Sequence, residues 1–228
     1  LYKSVNNLIG DNKVNNNSRM GVYVYTNSSN NYIQNNFLTS NPYGIYLYNA
    51  QDNNLTGNTI TDSSRIGIYV NTNSNNNNIE NNSLNGNQYG INTYNCQNNT
   101  IVGNSILNTV YYGIYFYNST QSTVNMNTVD CSNSTGIYLN TGSNYNYLQN
   151  NILTSNPYGI RIINSINNQI LSNTLNNSIS YAVYLKDSNS TIIGQNSVTG
   201  NNYGIYLYNA QNNSFTENTV ANNTRIGI

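Results

Sequence analysis

Few groups in these 228 residues can do acid–base, nucleophilic or metal chemistry. His is absent, and the carboxylates are Asp11, Asp52, Asp62, Glu80, Asp130, Asp187 and Glu217. Acid–base cleavage of a glycosidic bond needs two carboxyls about 5–10 Å apart. Placed on the repeat described below, no two of the seven share a column in neighbouring turns. Asp62 and Asp130 reach the same corner, but three turns apart, about 14 Å at ordinary strand spacing. No catalytic residue is assigned, and the chain is expected not to be an enzyme. Sulfur ligands are limited to Cys96, Cys131, Met20 and Met126, too dispersed for a copper or zinc cluster. No metal and no cofactor is expected. The two cysteines read as unpaired small side chains.

Tyrosine is the functional group this sequence does supply, with 23 copies. One stripe holds Tyr23, Tyr46, Tyr69, Tyr115, Tyr138, Tyr184 and Tyr206. Two residues on, a parallel stripe holds Tyr2, Tyr25, Tyr48, Tyr94, Tyr117 and Tyr208. Asn71, Asn92, Asn140, Arg161, Ile163 and Lys186 fill the interruptions. A phenol ring with a polar tip suits contact with a sugar face or another protein. Stacked tyrosines also stabilise a parallel sheet through neighbour contacts. The sequence leaves both roles open.

The elements that position these side chains follow from an internal repeat. Gly-Ile/Val-Tyr or a close variant recurs at Gly21, Gly44, Gly67, Gly90, Gly113, Gly136 and Gly159, in steps of 23 residues. Ala182, Gly204 and Gly227 continue the series. Once per unit there is an Asn: Asn12, Asn36, Asn58, Asn82, Asn104, Asn127, Asn151, Asn173, Asn196 and Asn218. An apolar residue stands three positions before each, from Ile9 to Phe215, and another two positions after, from Val14 to Val220. Gly44-Ile45-Tyr46-Leu47-Tyr48 alternates with the period of a strand. No helical stripe competes with it.

A unit of this size cannot bury its own apolar face. Wound once around an axis, it pairs each strand with its equivalent one turn on and stacks Ile45, Leu47, Leu55 and Ile60 inward in continuous columns. The fold predicted is all-β: a single-stranded parallel β-helix, or solenoid, of about ten coils with three short strands per coil. Residues 1–228 form one such solenoid, read as a segment of a longer chain. The Asn column is predicted to be a structural ladder, since Asn tolerates left-handed backbone at bends and its amide both donates and accepts. A row of ligand-binding amides is the alternative. The recurrent Gly is assigned to the bend entering the first strand.

Charge is sparse, at 6% of residues, and the formal net charge is zero. The seven Lys and Arg look scattered, without a basic patch, which argues against nucleic acid and anionic membrane. The apolar runs are too short to span a bilayer.

The run Gly204-Ile205-Tyr206-Leu207-Tyr208 followed by Asn213, Phe215, Asn218 and Val220 resembles the parallel β-helix repeats of the NosD-like and carbohydrate-binding/sugar-hydrolase (PbH1-type) group. Similar repeats occur in large surface proteins of methanogenic archaea. The resemblance covers nearly the whole chain and implies a right-handed coil and an extracellular, cell-surface location. It is similar to NosD in its repeats only, because the His, Cys and Met that copper delivery would need are not grouped here. On these grounds the expected function is that of a non-catalytic structural or adhesive surface protein. Its expected partners are further copies, neighbouring surface proteins or glycans, met through the Tyr/Asn face. A carbohydrate-binding module of a larger carbohydrate-active enzyme is the alternative.

Overall fold

The computed structural model describes residues 1–131 and 134–228. The chain coils into three parallel sheets that run the length of the molecule. Nine six-residue strands, from Met20–Tyr25 to Tyr203–Tyr208, form the long-strand sheet. Two ten-stranded sheets of three-residue strands complete each coil, one from Leu8–Gly10 to Ser214–Thr216, the other from Lys13–Asn15 to Thr219–Ala221. Every strand pairs with its equivalent one coil on, in unbroken register: Leu55 beside Ile79, Ile79 beside Ile101, Ile101 beside Val124.

Alternation along the strands decides which side chains enter the core. Ile45, Leu47, Leu55 and Ile60 are fully buried, and so are their counterparts through most of the rod. Each such side chain removed from water stabilises the fold by about 1.5–3 kcal/mol. Where the inward column narrows to Thr93, the next coil places Phe116 directly against it, so a large side chain takes the room a small one leaves.

The Asn column forms a continuous side-chain ladder. From Asn12 to Asn218, each Nδ2 donates to the Oδ1 of the next coil at 2.9–3.1 Å. The same Oδ1 also accepts the backbone N–H of the Asn one coil back, as Asn104 does from Asn82. Nδ2 donates its second hydrogen to main-chain oxygen, as Asn104 does to Ile79. Buried polar groups at a bend inside the core are thereby satisfied without water.

The backbone differs from the sequence expectation in two respects. Left-handed backbone falls on the residue before each ladder Asn, including Asn35, Asn81, Gly103 and Asn150, and the ladder residues do not adopt it. Turning the chain one residue earlier is what aims the Asn amide inward. The recurrent Gly does not make a bend either. Gly44 lies inside the Tyr43–Tyr48 strand, and a Cβ there would sit 2.5 Å from both the Gly67 carbonyl oxygen and Ile60 Cγ2. Close approach between coils, rather than a special φ, requires glycine at that position.

Two further ladders run along the other corners. One links Asn7, Asn31, Asn53, Asn77 and Asn99 through their amides. It continues through Ser122, which accepts from the Asn99 N–H and donates its own to Asn146 Oδ1. The other begins at Asn17 and Asn41 and ends at Asn201 and Asn223, with Ser63, Cys131 and Ser178 standing in between.

Candidate functional site

The outer face of the long-strand sheet collects most of the tyrosines. Tyr23, Tyr46, Tyr69, Tyr115, Tyr138, Tyr184 and Tyr206 stand in one column, with Asn92 and Arg161 in register between them. Tyr25, Tyr48, Tyr94, Tyr117 and Tyr208 form the second column, interrupted by Asn71, Asn140, Ile163 and Lys186. A third column, unassigned from sequence, precedes the core glycine, or Ala182 in its place: Tyr43, Tyr89, Tyr112, Tyr158, Tyr181 and Tyr203. Its signal was available in the repeated Tyr-Gly pair, since a residue one place before an inward-packed glycine also reaches the outer surface.

These rings are shingled against one another. Tyr46 and Tyr69 stack at 4.8 Å, Tyr94 and Tyr117 at 5.0 Å, and Tyr184 and Tyr206 at 5.9 Å. Third-column rings lean over first-column rings one coil on, as in Tyr112–Tyr138 at 5.1 Å and Tyr181–Tyr206 at 5.2 Å. The first column is accordingly half-buried, and Tyr138 is only 7% exposed. Of the three columns the second holds the most exposed rings, with Tyr48, Tyr94 and Tyr208 38%, 36% and 54% exposed. Amides fix several hydroxyls: Asn71 Nδ2 donates to Tyr46 Oη at 2.7 Å, and Asn140 Nδ2 to Tyr115 Oη at 3.2 Å.

Burial pushes the Tyr138 hydroxyl up to about 12, against the opposing pull of the Arg161 charge. Tyr69 is raised by burial and by its neighbours Tyr46 and Tyr43. Both phenols are therefore neutral at physiological pH.

Once the chain is coiled, most of the cations, although widely spaced along the rod, come to lie against tyrosine rings. Arg161 lies over Tyr138 and Tyr158, 4.9 and 5.0 Å from their ring centres, and 5.9 Å from that of Tyr184. Arg65 and Arg225 each donate from Nη1 to the hydroxyl of a third-column ring, Tyr43 at 3.1 Å and Tyr203 at 2.9 Å. Arg19 and Arg65 flank Tyr43 in a cleft of about 570 Å³. Lys3 and Lys186 lie over Tyr2 and Tyr208. None of the seven carboxylates lies within a long strand.

The remaining chemistry-bearing residues stay apart. Among the described residues no three His, Cys, Asp or Glu come together as a metal site would require. Cys96 and Cys131 are free, buried thiols, and burial pushes Cys96 up to about 12. Among the described residues no helix is long and apolar enough to cross a membrane.

Sequence comparison decides the family. The pattern described as "Right handed beta helix region" matches residues 1–129 and 112–228. The chain belongs to the right-handed β-helix family. The coil is thus right-handed, as the resemblance implied. No curated protein matches the chain in sequence. Among solved structures, this β-helix is similar to the periplasmic alginate epimerase AlgG, with 21% identity and a TM-score of 0.72 over 82% of this chain and 50% of that one. It is also similar to the catalytic unit of a thermostable alpha-1,3-glucanase from Streptomyces thermodiastaticus, with 12% identity and a TM-score of 0.70 over 92% and 51% of the two chains. A DFA-IIIase from Arthrobacter chlorophenolicus gives 11% identity and a TM-score of 0.68 over 86% and 61%. The chain spans about half the length of the first two of these proteins.

These likenesses correct the expectation that the chain is not an enzyme. All three similar structures are, by name, enzymes or the catalytic unit of one, so enzymes do occur on this β-helix fold. The earlier exclusion rested on the spacing of seven carboxylates. That spacing describes these 228 residues alone, and a protein in which a comparable segment is half the chain can draw its reacting groups from elsewhere.

Proposed function

We propose that the tyrosine face of this β-helix binds saccharide, and that the chain is the carbohydrate-binding β-helix of a larger carbohydrate-active protein working outside the cytoplasm. The observation that carries this reading is the second tyrosine column, with Tyr48, Tyr94 and Tyr208 open to solvent on a flat sheet and polar tips and amides beside them. Sugar rings pair an apolar C–H face with equatorial hydroxyls. A phenol answers both, with its ring and its hydroxyl. The names of the three similar structures, all concerned with carbohydrate, support the same class of ligand.

The test is binding of the intact chain to an array of neutral and acidic glycans, compared with Tyr48→Ala/Tyr94→Ala/Tyr208→Ala. Loss of about 2 kcal/mol or more of binding, some thirtyfold in affinity, is expected from removing three contact rings. Light scattering runs alongside. Association between copies that the triple variant abolishes, with no glycan bound by either protein, would overturn the reading in favour of self-assembly.

A further inference from the structure

The coil sorts charge in a way that net charge conceals. Five of the seven cations contact tyrosine side chains, Arg65 and Arg225 by hydrogen bond and Arg161, Lys3 and Lys186 over ring faces, while Arg19 lines the cleft beside Tyr43. The carboxylates lie in turns or on the short-strand sheets, none within a long strand. Arg161 is the sharpest case. Its guanidinium is held among the rings of Tyr138, Tyr158 and Tyr184, and its terminal nitrogens make no hydrogen bond to the described residues. A guanidinium fixed by stacking, with donors left over, is arranged to receive an oxyanion.

We propose that the ligand of this face is an acidic glycan, a linear saccharide bearing carboxylate or sulfate groups, lying along the rod axis. The inference rests on the saccharide reading above and names its substrate class. Arg19 and Arg65 stand two coils apart, Arg161 four coils beyond Arg65, and Arg225 three beyond Arg161. At about 4.8 Å per coil these intervals are roughly 10, 19 and 14 Å. Such spacing matches anionic groups met every few sugar units. It is too sparse for single-stranded nucleic acid, whose phosphates call for a near-continuous basic groove and open rings on which bases stack. Here most rings are already stacked on each other.

The same intact chain is titrated with polygalacturonate, hyaluronate and dextran sulfate, and with methyl-esterified polygalacturonate and dextran as uncharged counterparts. Oligothymidylate provides the nucleic-acid arm. Binding of at least one acidic glycan over its neutral form, weakened by added salt, is expected. A preference for the uronates assigns carboxylate, and one for dextran sulfate assigns sulfate. Arg161→Gln and the exposed pair Arg65→Ala/Arg225→Ala should each weaken acidic-glycan binding by about tenfold, and by several-fold more than they weaken neutral-glycan binding. The exposed pair keeps the test valid if Arg161→Gln disturbs folding. Equal binding of charged and neutral glycans overturns this inference and leaves the saccharide reading standing. Tighter binding of oligothymidylate than of any glycan, or no glycan binding at all, overturns both.

Discussion

Asn104 illustrates how much one side chain holds in this molecule. Its Oδ1 accepts both the backbone and the amide hydrogens of Asn82, while its Nδ2 reaches Ile79 and Val102 carbonyls and Asn127 Oδ1. Asn104→Ala leaves the Asn82 N–H buried without a partner and breaks the amide ladder on both sides, so a loss of about 3 kcal/mol is expected in urea denaturation. Thr128→Ala, on an exposed strand position, should stay within about 0.5 kcal/mol. The Asn82–Asn104–Asn127 column was legible in the sequence because the same residue recurs at a fixed offset from two apolar neighbours. The corner running through Asn99, Ser122 and Asn146 was not, because Ser122 does there by hydroxyl what Asn does by amide, and a search by residue identity passes over it. The left-handed positions were missed for a related reason. Asn35, Gly57, Asn81, Gly103 and Met126 share a conformation and no side-chain type.

At the level of the sheet, the three tyrosine columns behave as one packed layer. The two columns at Tyr46 and Tyr48 follow directly from alternation along a strand. The Tyr43 column and the gathering of arginines do not, because Arg19, Arg65 and Arg225 precede their strands and approach Tyr43 and Tyr203 only after the coil has turned. Packing also changes the acid–base behaviour of the layer. An unfolded tyrosine ionises near 10, whereas folded Tyr138 ionises near 12 and Tyr69 is raised as well. The folded state therefore retains protons that the unfolded chain releases between these values. Stability is fully present below about pH 10 and falls as pH rises toward 12. Near-ultraviolet absorbance should show phenolate from Tyr138 and Tyr69 appearing together with loss of the β signal in circular dichroism. Tyr138→Phe should reduce that alkaline loss. Early ionisation of these rings in a still-folded protein would contradict the packed layer.

For the whole molecule, the coil is the unit of construction, since each strand pairs only with its equivalents in adjacent coils. Deleting residues 82–103 removes one turn and brings Asn104 to the place of Asn82, with every sheet and ladder able to rejoin. That coil carries two unpartnered buried oxygens, Asn92 Oδ1 and Thr93 Oγ1. The shortened chain is expected to fold with the same circular dichroism shape and a melting temperature within about 5 °C of the parent. Deleting residues 82–92 instead sets a long strand against a short one, and should abolish cooperative melting. Coil number and strand order could be read from the repeat, because packed positions tolerate no slippage. The kind of protein this β-helix serves could not, because a fold built to repeat itself says little about what is attached to it.

The central ladder has a direction. Every amide from Asn36 to Asn196 offers its oxygen to the preceding coil and a hydrogen to the following one. Ten aligned amide dipoles, each polarising the next, make the rod electrically polar along its axis. A partner stacked below must present hydrogens, and one stacked above must present oxygens.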